Sequence, residues 1–230
     1  MSLRTLLLLA FMLPGGALAA EPLPATPPPP GAQGASGVDG TVRNFTLAAD
    51  GRVNGMLLDD GTEVHTPRAL AAVLEQAVQP GDEVHVQGWR TPTPGVMTAT
   101  SVTDARTGKA LVGPAAPPAP LAARHDEPPR PLGLPPPGAR ETTLTGRVLR
   151  PLHGADGQTD GALLGDGMEL RLPAGAARSV TGLLAPGARL AAQGYALQTP
   201  FGQVLAVQAI GSNSGALVPV APGPKQPPAD

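Results

Sequence analysis

Two histidines of this chain stand in the same local context, because each follows a glutamate by two positions. Glu63 precedes His65, and Glu83 precedes His85. Side chains two positions apart point to the same face of a strand, and imidazoles with carboxylates suit divalent transition metals. His65 and His85 are therefore candidate metal ligands. The competing interpretation is that these polar side chains lie on solvated strand faces, where charged residues usually occur.

Residues for covalent or hydrolytic chemistry form no recognisable motif. The glycine-flanked stretch at residues 211–215 has Asn213 where a nucleophile would stand, and the chain contains no cysteine. Metalloprotease and phosphate-loop motifs are also absent from the sequence. We therefore expect no catalytic residues, no cofactor and a protein that is not an enzyme. The pair Asp59 and Asp60 is read first as turn chemistry and only remotely as a calcium site.

The chain repeats itself at one offset of 106 residues. Most repeated residues are Gly, Pro or Asp, the types that fix turns, so the repeat predicts a duplicated domain with a shared backbone. The matching pairs are Gly40 and Gly146, Val42 and Val148, Asp50 and Asp156, Gly51 and Gly157, Gly55 and Gly161, Asp60 and Asp166, Pro67 and Pro173, Pro80 and Pro186, Gly88 and Gly194, and Pro94 and Pro200.

Repeat 1 reads as five short strands with one inserted helix. Asp-Gly pairs between apolar runs are strong hairpin signals. Strands are predicted at residues 42–47, 53–58, 62–66, 82–87 and 96–102, and a helix at 68–78. In that helix Leu70, Val73, Leu74, Ala77 and Val78 form one apolar stripe expected to face the core. In the third strand Val64 is expected inward, with Glu63 and His65 outward.

This order is that of the five-stranded OB barrel, whose helix lies between strands three and four. The segment 80–88 resembles the Pro-Gly-Asp-x-Val-x-Val-x-Gly stretch that opens strand four in many OB-fold domains. The whole chain resembles small exported bacterial proteins with tandem OB-like domains. We therefore expect a mainly β protein of two OB-like barrels joined by a Pro-rich linker. An SH3-like barrel is the alternative, disfavoured by the long inserted helix.

Repeat 2 departs from this pattern in places. Its predicted helix, residues 174–185, carries Gly175 and Gly182, each costing about 1 kcal/mol relative to Ala. The repeat equivalents of His65 and His85 are Arg171 and Ala191. A catalytic site built once and then duplicated would be expected to keep these residues in at least one paired position, and this one does not.

The chain ends and the proline distribution indicate the domain plan. A short basic start, an apolar run and Ala17-Leu18-Ala19 are typical of a secretory signal peptide; an uncleaved membrane anchor is the alternative, but the apolar run is too short. The plan is a signal peptide at 1–19, a disordered Pro-rich segment at 20–37, OB-like domain 1 at 38–105, a Pro-rich linker at 106–140, OB-like domain 2 at 141–211 and a disordered tail at 212–230. We expect the linker to be mobile at 113–140, with no fixed angle between the barrels.

Trp89 and Tyr195 are repeat equivalents, each directly after Gln-Gly at the end of strand four. Such a duplicated aromatic predicts either a binding surface or a ring that closes the barrel end. Repeat 1 carries a net charge of −5 and repeat 2 is neutral. Nucleic acid, which needs a basic groove with stacking aromatics, is therefore an unlikely partner.

We expect a non-enzymatic periplasmic or secreted binding or adaptor protein, whose partner is an envelope protein or a small ligand. The alternative is a metal- or small-ligand-binding envelope stress protein, and the third option is single-stranded nucleic-acid or oligosaccharide binding. Any ligand should contact the outer face of strands two and three and the loops after strands one and four. The residues so nominated are Arg52, Asn54, His65, Trp89, Arg90, Arg171 and Tyr195.

Overall fold

The computed structural model describes residues 33–112 and 135–221. These residues form two six-stranded sheets, each of which closes into a five-stranded barrel with one extra strand. The strands of the first barrel are β1 (Gln33–Leu47), β2 (Val53–Leu58), β3 (Glu63–His65), β4 (Glu83–Arg90), β5 (Val96–Asp104) and β6 (Ala110–Val112). Those of the second are β7 (Arg140–His153), β8 (Thr159–Leu164), β9 (Met168–Arg171), β10 (Arg189–Thr199), β11 (Gly202–Gly211) and β12 (Val218–Pro219).

Both barrels have the OB strand order predicted from the turns. In the first, β1 pairs with both β2 and β4, β4 pairs with β5, and a parallel pairing of β3 with β5 closes the ring. The second repeats this with β7 to β11, closed by the parallel pairing of β9 with β11. Strand one is long because its first half pairs with strand four and its second half with strand two. The mainly β fold of two tandem barrels is thus confirmed.

The helix between strands three and four differs between the barrels. In the first it is α1 (Arg68–Ala77), and Leu70, Ala71 and Leu74 are buried. Val73 is 45% exposed, so its predicted place in the core is wrong. In the second barrel residues Ala176–Leu184 form a kinked 3-10 helix instead of an α-helix over 174–185. Gly175 is left-handed and Val180 non-helical, so only a shorter, looser helix fits the same end of the barrel.

Each barrel has its own apolar core. Val42, Met56, Val64, Leu74 and Val86 are buried in the first, with other residues of β1 to β6 and α1. The second core is built from smaller side chains, including several alanines. The described strands extend past the predicted domain limits, because β1 begins at Gln33 and β6 and β12 follow residues 105 and 211. Residues 1–32, 113–134 and 222–230, and with them the signal peptide and most of the linker, lie outside the described residues. No helix in the described ranges is long and apolar enough to span a bilayer.

Strand four must carry glycine where strand five crosses it most closely. A Cβ on Gly194 would lie 2.0 Å from the carbonyl oxygen of Ala206, and backbone cannot yield as a flexible side chain can. We predict that Gly194→Ala lowers the free energy of unfolding by about 1–3 kcal/mol, through overpacking. A Cβ on Gly182 meets nothing within 4 Å, so the control Gly182→Ala should be neutral or stabilise by up to about 1 kcal/mol. Chemical denaturation of both variants provides the measurement, and equal midpoints would contradict the close crossing.

Candidate functional site

The outer surface that OB barrels ordinarily use for ligands is here a contact between the two barrels. That surface comprises strands two and three and the loops after strands one and four. Residues at the end of β1 contact β9, and residues at the end of β7 contact β3. The loop after β4 and the β10–β11 turn each reach across to the other barrel. Each barrel therefore covers the usual ligand face of the other barrel.

Two charged side chains of β9 hold one residue of the first barrel by its backbone. Glu169 accepts a hydrogen bond from the backbone N–H of Leu47 at 3.0 Å, and Arg171 Nε donates to the carbonyl oxygen of Leu47 at 2.7 Å. Arg171 also pairs with Glu169 at 3.2 Å and with Asp160 at 2.6 Å. Glu169 and Arg171 are each 4% exposed. Their charges are compensated by one another and by peptide groups, as burial of charge requires.

The mirror contact uses Glu63 of β3. Glu63 Oε1 accepts the backbone N–H of His153 at 3.0 Å, and Oε2 lies 3.1 Å from His153 Nδ1. His65 Nε2 stands 3.5 Å from Glu63 Oε1 but has no hydrogen-bond partner in the described structure. His65 is the repeat equivalent of Arg171, and its shorter side chain makes none of the cross-barrel bonds of that arginine. The two halves of the interface therefore share the carboxylate contact and differ in the base beside it.

The repeat offset relates these contacts in pairs. Glu63 and Glu169 are repeat equivalents. The residues whose backbone N–H groups they accept, His153 and Leu47, are repeat equivalents as well. The glycine turns obey the same rule: the Cα of Gly51 faces Thr199, and that of Gly157 faces Thr93. Thr93 Oγ1 donates to the carbonyl oxygen of Gly157 at 2.7 Å. Reciprocal contacts of this kind define an isologous, two-fold interface, which here is formed within one chain.

The apolar part of the interface lies on one side of this pseudo-two-fold axis. Val204 of β11 joins the buried core of the first barrel, and Leu197 and Phe201 pack against it. The rings of Phe45 and Phe201 meet edge to face, with centroids 5.4 Å apart; such pairs add about 0.5–1.5 kcal/mol beyond their buried area. The equivalent loop of the first barrel carries Thr91 and Thr93 and contributes polar contacts instead.

Burial and neighbouring charges set the protonation of the interface acids. Burial of Glu63 acts to raise its pKa, but the hydrogen bonds from His153 and the proximity of the His65 imidazole outweigh it and lower the pKa to about 2. Burial raises the pKa of Glu169 above its ordinary value, and the nearby Arg171 counters this only in part. The Glu63 charge also adds to that rise. Asp160, Glu169 and Glu63 together raise the pKa of Arg171 despite its burial.

These positions correct two expectations. Glu63 and His65 do lie on the outer side of their strand, but they are 0% and 4% exposed because the other barrel covers them; a solvated face is therefore wrong for this pair. The barrels were expected to have no fixed angle, and the buried contacts above contradict that. Arg171, nominated for ligand binding, bonds to Leu47, Asp160 and Glu169, and its ligand role stays a prediction. The mobility predicted for residues 113–134 concerns residues outside those described.

The remaining nominated residues do not converge on one site. Arg52 is exposed and pairs with Asp50, while Asn54 Oδ1 accepts a hydrogen bond from Thr46 Oγ1 at 2.9 Å. Arg90 is exposed, and its Nε donates to Ser36 at 2.9 Å. Trp89, near the end of β4, and Tyr195, in the middle of β10, are both half-buried. Their roles stay predictions.

The two candidate metal ligands, His65 and His85, lie in different surroundings. His85 is on the outer surface of β4, where its Nδ1 lies 2.6 Å from Asp39 Oδ1, whereas His65 is buried at the interface. Within residues 33–112 and 135–221, no group of three or more His, Cys, Asp or Glu side chains is arranged to hold a metal ion. A hollow of about 320 Å³, which the sequence did not suggest, lies where the barrels meet. Its lining includes Phe45, Val78, Pro80, Pro200 and Phe201.

Comparison with known proteins supplies no family. No protein-family model and no curated protein matches the chain. Among solved structures, the wild-type single-stranded DNA binding protein from Thermus aquaticus is similar at 13% identity and a TM-score of 0.24, covering 86% of this chain and 97% of that chain. A deletion mutant of the same protein gives 14% identity and a TM-score of 0.23, with 87% and 100% coverage. At these values the likeness carries no argument about function.

The depressed pKa of Glu63 predicts a specific acid sensitivity. The unfolded carboxyl, with a pKa of 4.5, takes up its proton before the folded one, whose pKa is about 2. Stability contributed by Glu63 is therefore present above pH 4.5 and lost as the pH falls towards 2, on the order of 3 kcal/mol in all. Glu63→Gln should remove this part of the pH dependence in denaturation curves taken from pH 5 to pH 2. Glu141→Gln, on the exposed surface of β7, is the matched control and should retain it; identical pH profiles for the two variants would contradict the assignment.

Proposed function

We propose that this chain is a non-enzymatic, exported binding or adaptor protein whose two OB barrels act as one docked unit. The observation that carries the proposal is the reciprocal burial of the two usual ligand faces. A partner must then engage other surfaces of the pair, with the two barrels held in one orientation. The pattern of residues 1–19 supports export to the periplasm or beyond.

The chemistry of the interface also favours binding over catalysis. The faces that OB barrels usually offer to ligands here carry three buried charged side chains, Glu63, Glu169 and Arg171. Each of them forms a hydrogen bond with a backbone group of the other barrel. A general acid, base or nucleophile must reach a substrate, and these side chains face the other barrel. They stabilise an arrangement of domains, which is what an adaptor requires.

Trp89 and Tyr195 are the best candidates for contact with a partner. They occupy the same position in both barrels, and both are half-buried, so part of each ring faces solvent. Aromatic side chains with an exposed part are common anchors at interfaces. The partner class we propose is an envelope protein or a small ligand. Among the residues that the structure describes, no contact favours the alternatives of a metal or of single-stranded nucleic acid.

Capture of partners from the envelope fraction tests this proposal. Immobilised mature chain should retain the same partner as Tyr195→Phe, whereas Trp89→Ala should lose it while its unfolding midpoint stays nearly unchanged. Arg106→Ala, at a side chain 76% exposed, is the control and should behave as wild type. If Trp89→Ala instead lowers the stability by several kcal/mol, as loss of a buried aromatic does, Trp89 closes the barrel and the binding role fails.

The proposed location has its own test. Mass spectrometry of the chain recovered from the periplasm of a bacterial host should show a new N-terminus after Ala19 or Ala20, as small-residue cleavage sites predict. Recovery of the unprocessed chain from the cytoplasm alone would contradict export and leave the question of binding open to the capture experiment.

A further inference from the structure

Two arginines lie directly opposite each other on the outer surface of the second barrel. Arg147 of β7 and Arg189 of β10 are cross-strand partners, and both are exposed. Like charges at directly opposed positions destabilise a pair of strands. Among the residues that the structure describes, no carboxylate pairs with either guanidinium. We call this pair the basic face.

At the same two backbone positions, the first barrel carries one acidic and one uncharged residue. The equivalents of the two arginines are Thr41 and Glu83, which are likewise cross-strand partners. Asp59 lies beside them, since its Oδ1 accepts the backbone N–H of Thr41 at 3.1 Å, whereas Gly165 takes its place in the second barrel. Asp39 is on the same strand and is 84% exposed. Asp39, Asp59 and Glu83 form what we call the acidic face, on which His85 Nδ1 lies 2.6 Å from Asp39 Oδ1. One exposed base, Arg43, follows Thr41 by two positions on the same strand.

The strand order sets where these faces lie. In a ring ordered β3-β2-β1-β4-β5, β4 is opposite the β2–β3 pair, and the same holds for β10 and the β8–β9 pair. The barrels dock through β3 and β9. Glu83 and Arg189, on β4 and β10, therefore point away from the docked interface on the two far sides of the molecule. The docked pair has one acidic end and one basic end.

We propose that copies of this chain associate head to tail, the basic face of one against the acidic face of the next. Both faces are built on the same pair of strands, so they offer similar frameworks with complementary charge. Exposed ion pairs contribute about 0–1 kcal/mol each, so the association is weak and depends on salt. The contact is heterologous, and each added copy leaves a free acidic end and a free basic end. This self-association does not require the partner proposed above.

Sedimentation velocity of the full chain tests the inference directly. The weight-average sedimentation coefficient should rise with concentration at about 0.01 M salt and should stay at the monomer value at about 1 M, where charges are screened within about 3 Å. Arg147→Glu with Arg189→Glu should abolish the rise, and so should Asp39→Arg with Glu83→Arg. An equimolar mixture of these two variants should associate, because each then offers the face that the other lacks.

A matched control separates local contact from net charge. Arg68→Glu with Arg140→Glu changes the net charge as much as the reversal of the basic face, at exposed positions outside both faces, and should still self-associate. A single monomeric species at low salt for the wild-type chain would overturn the inference. So would continued association after the basic face is reversed, or a failure of the mixed variants to associate.

Discussion

A buried carboxylate that accepts a backbone N–H from the other barrel is the contact on which the arrangement of this molecule depends. It is made twice, by Glu63 to His153 and by Glu169 to Leu47. An ionised group under an opposing barrel is stable only where donors replace its lost water. Removing either donor or acceptor would leave a buried polar group unpaired, which costs about 1–3 kcal/mol or more. The two contacts therefore hold one relative orientation of the barrels.

The docked arrangement changes what an OB barrel can do. In an isolated barrel, the outer side of strands two and three is free for a ligand. Here that side is occupied by the repeat equivalent of itself, in the manner of a homodimer joined into one chain. Duplication gives the chain two copies of the same surface. In a two-fold arrangement of such copies, a contact from residue i to residue j is accompanied by the equivalent contact from j to i. Surfaces outside this contact stay exposed, among them the start of β4 at Glu83 and the start of β10 at Arg189.

Much of each barrel could be predicted from turn residues. Asp-Gly hairpins and Pro-Gly at the end of the helix set the strand count and order, and the two-residue alternation placed Glu63 and His65 outward correctly. The helix of repeat 2 differed because Gly175 takes the left-handed conformation. The prediction that Val73 is buried in the core was wrong, because Ala71 is buried there instead.

Docking could not be predicted from alternation, because an outward side chain looks the same whether water or a second barrel covers it. One signal was nevertheless present. Glu63 recurs as Glu169, a charge that no turn requires. Thr93 recurs as Thr199, whose hydroxyl also bonds within its own β10–β11 turn. Charged or hydroxyl residues retained at the repeat offset on an outer face point to a surface that both copies use. In this molecule those residues are the ones that cross the interface.

Amide hydrogen exchange at Leu47 and His153 tests the docked arrangement most directly, because each N–H donates a hydrogen bond to a carboxylate of the other barrel. We predict that both amides are protected in the wild-type chain. Glu169→Ala should expose Leu47 first, and Glu63→Ala should expose His153 first, while amides in the centre of β4 stay protected in both variants. Exchange of Leu47 and His153 at the rate of open loop amides in the wild-type chain would contradict docking, and the two barrels would then be independent domains.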